Sequence, residues 1–460
     1  MINISLGLSD IPLYEQIYAH IKGEIESRTL THNCKLPSVR KLASSLGVSV
    51  NTIDSAYQQL VAEGYIEPVA HTGYFVCELE EFMYVSNPPL DSELPSNHDT
   101  DYIIDFSPYA VSTEHFPKNN WRKIFKNCLL DDSIFITTQN RGDTGLRTEI
   151  SKYLYESRGV SCSYDQIILG TGSEYLLQIL SLMLDKKMPV AMENPVYNRA
   201  YRIFENMDYT VFPIDIDERG ISMSVLLDKN IPYVYVTPSH QFPLGISMPI
   251  SRRITLLNYI NEMENGYIIE DDYDSEFRYH AKPLPSLKSI DTEGKVIYIG
   301  TFSKSVSPTV RISYMVLPQN LLSTYEEKAG FMSCPIPTLN QQVLAEFMRG
   351  GYFERHLNRM RNIYKGKREL LIKELMSFGN SIDVMGENAG HHLLLKLNSK
   401  LSEKEMVSLA KNSGIKVYGI SEYFLGEVPK KYASTVLLGY AGLTDEQLSE
   451  GISLLKKAWQ

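Results

Sequence analysis

The run Tyr298-Ile-Gly-Thr-Phe-Ser-Lys-Ser-Val-Ser-Pro-Thr-Val-Arg311 gathers an amine, hydroxyls and a guanidinium behind an apolar segment. That is equipment for holding an aldehyde that also carries an anion. A strand would fix the backbone, Thr301 and Ser303 offer hydroxyls beside Lys304, and Arg311 can fork two donors onto a phosphate. Taken alone, a lysine among serines is far more often a solvated loop. Upstream, Tyr267-Ile-Ile-Glu-Asp-Asp-Tyr273 is an apolar run ending in carboxylates. Asp271 at the end of a buried strand can hold a pyridinium nitrogen protonated, which keeps the ring an electron sink. Tyr273, two positions on, points the same way along an extended chain and can reach a neighbouring ring oxygen. The same three acids also fit a solvated strand end. Further upstream, Ile167-Ile-Leu-Gly-Thr-Gly-Ser-Glu174 enters the apolar Tyr175–Leu184. A glycine turn opening a helix there offers Gly172, Ser173 and Glu174 as a phosphate cradle of N–H groups and helix dipole.

Positioning these groups requires strands that end together. Apolar runs near 190, 211, 233, 267, 296 and 313 alternate with helical stretches, so a mostly parallel sheet with helices on both faces is expected. Pro189-Val-Ala-Met-Glu-Asn-Pro-Val-Tyr197 is a buried strand ending in a turn. From about 335, beginning Pro335-Ile-Pro, a long helix carries Tyr364, Leu371 and Leu375. A small α+β lobe follows, with strands near 392 and 436.

The order phosphate turn, Thr237-Pro-Ser-His-Gln-Phe-Pro-Leu-Gly245, Glu-Asp-Asp-Tyr, then Thr-Phe-Ser-Lys resembles the fold-type I, aspartate-aminotransferase-like domain that binds pyridoxal 5′-phosphate (PLP). Pro-Ser-His-Gln-Phe-Pro followed by Glu-Asp-Asp-Tyr-Asp-Ser-Glu-Phe-Arg-Tyr looks like the MocR/GabR branch of the GntR regulators, and the resemblance covers nearly the whole chain. It implies Lys304 as the Schiff-base lysine. Cofactor contacts are implied at Gly172, Ser173, Glu174, Tyr197, Gln241, Asp271, Tyr273, Thr301, Ser303 and Arg311. Tyr197 is similar in position to the aromatic that stacks on the cofactor ring, though it also fits plain core packing. Arg199 is similar to a ligand-carboxylate contact in GABA-sensing members. Arg141-Gly-Asp-Thr-Gly-Leu-Arg stands where the family has a Gly-rich loop, with Asp143-Thr144-Gly145 replacing the commoner Pro-containing version.

The N-terminal part follows a different pattern. Pro12 opens a stretch with Leu13, Ile17, Ile21 and Ile25 at intervals of four, an amphipathic helix over 12–27. Leu36-Pro-Ser-Val-Arg-Lys-Leu-Ala-Ser-Ser-Leu-Gly47 reads as a short helix capped by Ser38 and stopped by Gly47. Ser49 caps a third helix, Val50 to Glu63, with Ile53, Ala56, Tyr57 and Leu60 inward. Tyr65–Val76 is two short strands around a His-Thr-Gly turn. Three helices and a hairpin make a winged helix-turn-helix, and the wording resembles the GntR DNA-binding domain. Contacts to double-stranded DNA are then expected from a recognition helix that begins at Ser49 and puts Asn51 and Thr52 toward base edges, from Ser38 and Arg40 at phosphates, and from His71, Gly73 and Tyr74 at the wing. Val50 departs from the arginine many members carry. Residues 1–77 hold five Lys/Arg (22, 28, 35, 40, 41) against seven Asp/Glu (10, 15, 24, 26, 54, 63, 67), so each module should bind weakly.

The expected organisation of the 460 residues is therefore a winged helix-turn-helix (1–77), a linker rich in Pro, Ser and acids (78–101), and a PLP-dependent transferase-like α/β domain (102–460). A net charge of −10 confines any nucleic-acid contact to a local patch. The five cysteines (34, 77, 128, 162, 334) lack metal or disulfide spacing, so no metal site is expected and a reducing cytoplasm suits them. Neither a signal peptide nor a run near the roughly 18 apolar residues of a membrane span is visible. The expectation is a cytoplasmic homodimer, head-to-tail by resemblance, that senses PLP or a small amine or amino acid and regulates vitamin B6 or amino-acid metabolism. A working aminotransferase with an accessory DNA-binding domain is the alternative. Little or no turnover is expected, because no arginine follows Arg368 to hold an α-carboxylate from the C-terminal lobe, and Glu422 stands where GABA-sensing relatives supply one.

Overall fold

Isoleucines spaced by four place one apolar stripe along a helix. The computed structural model forms it as α1 (Leu13–Glu26), with Ile17, Ile21 and Ile25 buried. The structure describes residues 11–78, 102–136, 139–279 and 285–460. Leu13, expected on the inner face, is exposed instead, because the first turn overhangs a core that begins at Ile17. Helix α2 (Val39–Leu46) starts at Ser38, whose Oγ accepts the Lys41 N–H at 3.3 Å, and stops at Gly47 in the left-handed conformation. Helix α3 (Val50–Ala62) starts at Ser49 and buries Ile53, Ala56, Tyr57 and Leu60. Strands β1 (Ile66–Val69) and β2 (Gly73–Val76) pair antiparallel with Ile66 opposite Val76, and His71 in the turn has φ 60°. One apolar core joins these five elements. Most of the proposed linker, from residue 79 on, lies outside the described residues.

The second compact unit is described from residue 102 on. Its strands in chain order are β3 (Ile104–Asp105), β4 (Ile167–Gly170), β5 (Val190–Asn194), β6 (Val211–Asp217), β7 (Gly220–Ile221), β8 (Tyr233–Val236), β9 (Tyr267–Asp272), β10 (Val296–Thr301) and β11 (Ser313–Val316). All but β3 form one sheet in the order β4-β11-β10-β9-β8-β5-β6-β7. The central pairs are parallel; β11 runs antiparallel to both its neighbours, β10 and β4, so β4 keeps the direction of the central strands, and β7 runs antiparallel to β6. Alternate residues serve opposite faces. Val190, Met192, Tyr233 and Tyr235 enter one apolar layer; Ala191, Val234 and Val236 enter the other. A sheet covered on both sides follows, which is why its strands read as continuous apolar runs. Helices α4 (Lys118–Cys128), α5 (Thr144–Arg158), α6 (Ser173–Met183), α7 (Asn198–Asn206), α8 (Met223–Lys229), α9 (Ile250–Asn261) and α10 (Leu322–Lys328) connect these strands.

The long helix expected after 335 is two, α11 (Thr338–Arg349) and α12 (Tyr352–Leu375). They break at Gly350-Gly351, where Gly351 takes φ 65°, a conformation that ends an α-helix. Beyond lie β12 (Ile382–Met385), β13 (His392–Leu397), α13 (Glu403–Asn412), β14 (Ile415–Lys416), β15 (Tyr418–Gly419), β16 (Thr435–Gly439) and α14 (Asp445–Trp459). Strands β12, β13, β16 and β15 form a second, antiparallel sheet. This lobe also takes a piece from far upstream. Strand β3 pairs with β14, and Phe106 packs under Gly451.

Candidate functional site

Register places the reactive groups. Strands β9 and β10 run parallel with Ile299 opposite Asp271, so both end on the same edge of the sheet. Asp271 sits at that end, and Lys304 follows β10 by three residues. Strand β4 lies antiparallel to β11 with Gly170 opposite Ser313, which sets the 171–172 turn beside Arg311. Arg311 Nη2 donates to the Thr171 carbonyl at 2.7 Å. Gly172 has φ 113°, and a Cβ there would stand 2.5 Å from Arg311 Nη2 and 2.7 Å from Glu174 Oε2. Only glycine leaves this hollow open.

The resulting cavity, about 260 Å³, is lined by Gly172, Ser173, Glu174, Tyr197, Arg199, Asp271, Tyr273, Thr301, Ser303, Lys304 and Arg311, all singled out in the sequence. Tyr109, Tyr235 and Phe242 line it too; Phe242 stands in the Pro-Ser-His-Gln-Phe-Pro motif, which does not say that it faces a cavity, and Tyr235 reads as a core aromatic. Lys304 Nζ donates to the Pro108 carbonyl at 2.8 Å and lies 5.8 Å from the centre of the Tyr109 ring. Burial pushes the lysine amine down to about 8, with Asp274 opposing the shift. Burial pushes the Asp271 carboxyl up to about 7, although Tyr235 donates to its Oδ2 at 2.6 Å. Glu174 accepts from Arg199 Nη1 at 2.7 Å and from the Tyr197 hydroxyl at 3.2 Å, with Arg311 Nη2 3.7 Å away. Burial alone would raise the Glu174 carboxyl; its own N–H, Arg199 and Arg311 outweigh that and hold it low.

Gln241 stands apart from these residues. It is buried outside the cavity lining, its amide donating to the carbonyls of Pro195 and Phe242 and accepting from the Leu244 N–H. A turn that must satisfy so many buried backbone groups consumes the side chain. Its neighbour Phe242 faces the cavity instead. Arg199, expected to meet a ligand carboxylate, already has one in Glu174.

The residues present fit a pyridine aldehyde phosphate. A glycine-opened hollow at the start of α6 beside Arg311 suits the phosphate, a buried acid suits the ring nitrogen, and a lysine of lowered basicity suits the aldehyde. The carboxylate of Glu174 inside the anion cradle is the one discordant group.

In the N-terminal unit, Arg40, Lys41, Asn51 and His71 are exposed and Thr52 is half-buried. Ser38 and Ser49 spend their hydroxyls on helix starts, Ser49 accepting the Thr52 N–H at 3.1 Å and meeting Thr52 Oγ1 at 2.8 Å. Gly73 and Tyr74 are half-buried, and Tyr74 packs edge-on against Tyr57 with its hydroxyl taking a bond from Gln58. Tyr74 thus shares its surface between the wing and the core.

Residues 13–76 match the family model for bacterial regulatory proteins of the gntR family. The uncharacterized HTH-type transcriptional regulator YdeL of Bacillus subtilis (strain 168) is 40% identical over 458 residues, spanning 98% of this chain and 97% of that protein. The probable rhizopine catabolism regulatory protein MocR of Rhizobium meliloti is 29% identical over 98% of this chain and 94% of its own length. Among solved structures, the kynurenine aminotransferase of Pyrococcus horikoshii superposes with a TM-score of 0.70 at 26% identity, covering 78% of this chain and 91% of that one. Among the described residues no helix is long and apolar enough to cross a membrane.

Proposed function

The chain belongs to the MocR/GabR branch of the GntR-type HTH transcriptional regulators, and we propose that its large domain holds PLP and reports PLP, or a small amine or amino acid, to the winged helix. One observation carries this reading: Lys304, Asp271 and Arg311 meet in a single cavity at the edge where β9 and β10 end. Lys304 and Asp271 would hold the aldehyde and ring-nitrogen ends; Arg311 with the N–H groups that open α6 would hold the phosphate end. Tyr197 would stack on the ring and Tyr273 would hold the neighbouring ring oxygen. When bound, PLP supplies an aldehyde carbon for the lysine and a ring that accepts electron density. At a pKa near 8, a useful fraction of the Lys304 amine is neutral and nucleophilic at physiological pH.

The output proposed is regulation of vitamin B6 or amino-acid metabolism in the cytoplasm, not sustained catalysis. Arg199 is engaged by Glu174, and the sequence after Arg368 contains no arginine to share a substrate carboxylate. Planar, two-point capture of that group is missing, and loose orientation costs about a hundredfold in rate. A single, slightly acidic winged helix offers few phosphate contacts, so binding is proposed to use two modules of a head-to-tail homodimer on paired half-sites.

The test is a gel-shift on the DNA upstream of the protein's own gene, with and without PLP, using wild type, Lys304→Ala and residues 102–460 alone. Wild type should bind, with affinity altered by PLP; Lys304→Ala should bind and ignore PLP; the truncated chain should not bind specifically. Specific binding by the truncated chain, or a full PLP response and a chromophore surviving gel filtration in Lys304→Ala, overturns the assignment.

A further inference from the structure

Behind the cavity lies a hydrogen-bonded pair that the cofactor contacts leave unused. His240 and Asp274 are almost completely buried, at 2% and 1% exposure. His240 Nδ1 lies 2.8 Å from Asp274 Oδ2 and 3.0 Å from the hydroxyl of Tyr273. One ring nitrogen therefore faces two oxygens. A carboxylate has no proton to give, so the contact to Asp274 requires a proton on Nδ1. That N–H also lies against the Tyr273 oxygen, which then receives a hydrogen bond here and does not give one. The phenolic proton is left to point elsewhere, and Tyr273 lines the cavity. Burial, Asp274, Asp271 and Asp272 all push the Tyr273 hydroxyl well above its usual range, so it remains a protonated donor.

We propose that Asp274 and His240 are a positioning pair that turns the hydroxyl of Tyr273 into the cavity as a donor to the ring oxygen of a hydroxypyridine ligand. The inference rests on the PLP reading above. The packing around the pair is built for it. Gly390, at φ 78°, leaves no room for a Cβ beside the His240 ring and Asp274, and a Cβ on Gly245 would stand 3.2 Å from His240 Nε2. Nε2 has no partner among the described residues, so Nδ1 is the ring nitrogen that makes the hydrogen bonds. The groups around His240 are Tyr273 and Asp274 after β9, His391 and His392 at β13, and Lys304 after β10. A His–Asp pair kept only for stability would not care which way the phenol points.

A hydrogen bond donated to the ring oxygen stabilises its anionic form, so losing the bond raises the pH at which the bound chromophore titrates. The full chain loaded with PLP is titrated by visible absorbance as wild type, Tyr273→Phe, His240→Phe, Asp274→Asn and the Tyr273→Phe/His240→Phe double variant. Tyr273→Phe should raise the midpoint by about one pH unit, the worth of one hydrogen bond. Asp274→Asn should raise it too, because the amide can donate to Nδ1, reverse the ring's proton and draw the phenol away from the cavity. His240→Phe should act in the same direction, and the double variant should go no further than Tyr273→Phe alone. Should His240→Phe misfold, Asp274→Asn decides on its own. Midpoints unmoved in Asp274→Asn and His240→Phe, while Tyr273→Phe shifts, overturn this inference alone. A wild-type chain that keeps no chromophore through gel filtration overturns the cofactor reading and the pair's role together.

Discussion

Glu174→Gln should tighten PLP binding. The Glu174 carboxylate lies 2.7 Å from Arg199 and 3.7 Å from Arg311, in the hollow a phosphate would enter. A phosphate drawn to Arg311 would approach that carboxylate to no closer than about 4 Å. Two like unit charges at that separation repel by about 4 kcal/mol at an effective dielectric of ~20 and about 1 kcal/mol in water. The Glu174 side chain is 24% exposed and keeps Arg199 at its side, so the lower part of that range applies. Roughly 1–2 kcal/mol corresponds to a five- to thirtyfold gain in affinity. Because Arg199, Arg311 and its own N–H hold the carboxyl below the usual range, the competing charge persists throughout neutral pH. Glutamine keeps the volume and still accepts from Arg199 and Tyr197. Equilibrium dialysis with absorbance detection should show the gain for PLP, no gain for pyridoxal, which lacks the phosphate, and a smaller gain at high salt. Unchanged or weaker PLP binding in the variant would refute the competition and make Glu174 a supporting partner of Arg199.

PLP uptake by the apoprotein should accelerate as pH rises toward about 8, since neutral Lys304 is the reactive form; stopped-flow absorbance at fixed PLP would check the midpoint. Asp271→Asn should weaken PLP binding by roughly ten- to a hundredfold, a charge-assisted bond of about 1.5–3 kcal/mol, as read by the same dialysis. The folded Asp271 pKa is raised from 3.8 to about 7, so folded apoprotein holds a proton the unfolded chain has lost. Its contribution to stability falls as pH rises through that window, and Asp271→Asn should remove this fall in urea melts of apoprotein at several pH values. In gel-shifts, Arg40→Ala should weaken every DNA sequence alike and flatten the salt dependence by about one unit of slope. Asn51→Ala should instead relax specificity at one base by about 1–3 kcal/mol.

The winged helix was legible almost residue by residue, because helix spacing, Ser caps and glycine stops are local signals. Ser38, Ser49 and Gly47 act where their chemistry predicts. In the large domain, the strands carrying Asp271 and Lys304 were legible as apolar runs. Which strand neighbours which was not, since β10 sits between β9 and β11 by register alone. The Gly350-Gly351 break was missed because apolar spacing on both sides continues across it. Strand β3 and Phe106 joined the C-terminal lobe through pairing with a segment more than three hundred residues away, as Ile104 lies opposite Ile415. Gln241 and His240 illustrate a different limit. Both stand in a recognisable motif, yet a motif names residue types without saying which one faces the ligand.

The same cavity explains why an aminotransferase-like domain can serve a regulator. Catalysis of transamination needs the cofactor end and the substrate end of the pocket to be held at once. Here the cofactor end is complete: amine, acid, arginine and helix start converge. At the other end the positively charged Arg199 is neutralised within 2.7 Å by Glu174, and the surrounding surface is aromatic, with Phe242 5.9 Å from Tyr197 and 5.1 Å from Tyr423. A carboxylate entering there must displace Glu174 from Arg199. An incoming phosphate faces the same carboxylate from the other side. On the proposed reading, ligand and cofactor would therefore compete with one internal anion, and whichever arrived first would alter the cradle met by the second. Two binding events linked through a shared charge are coupled reciprocally, each changing the other's affinity by the same factor. Coupling of that kind is of little use to a turnover cycle and is the property a sensor requires.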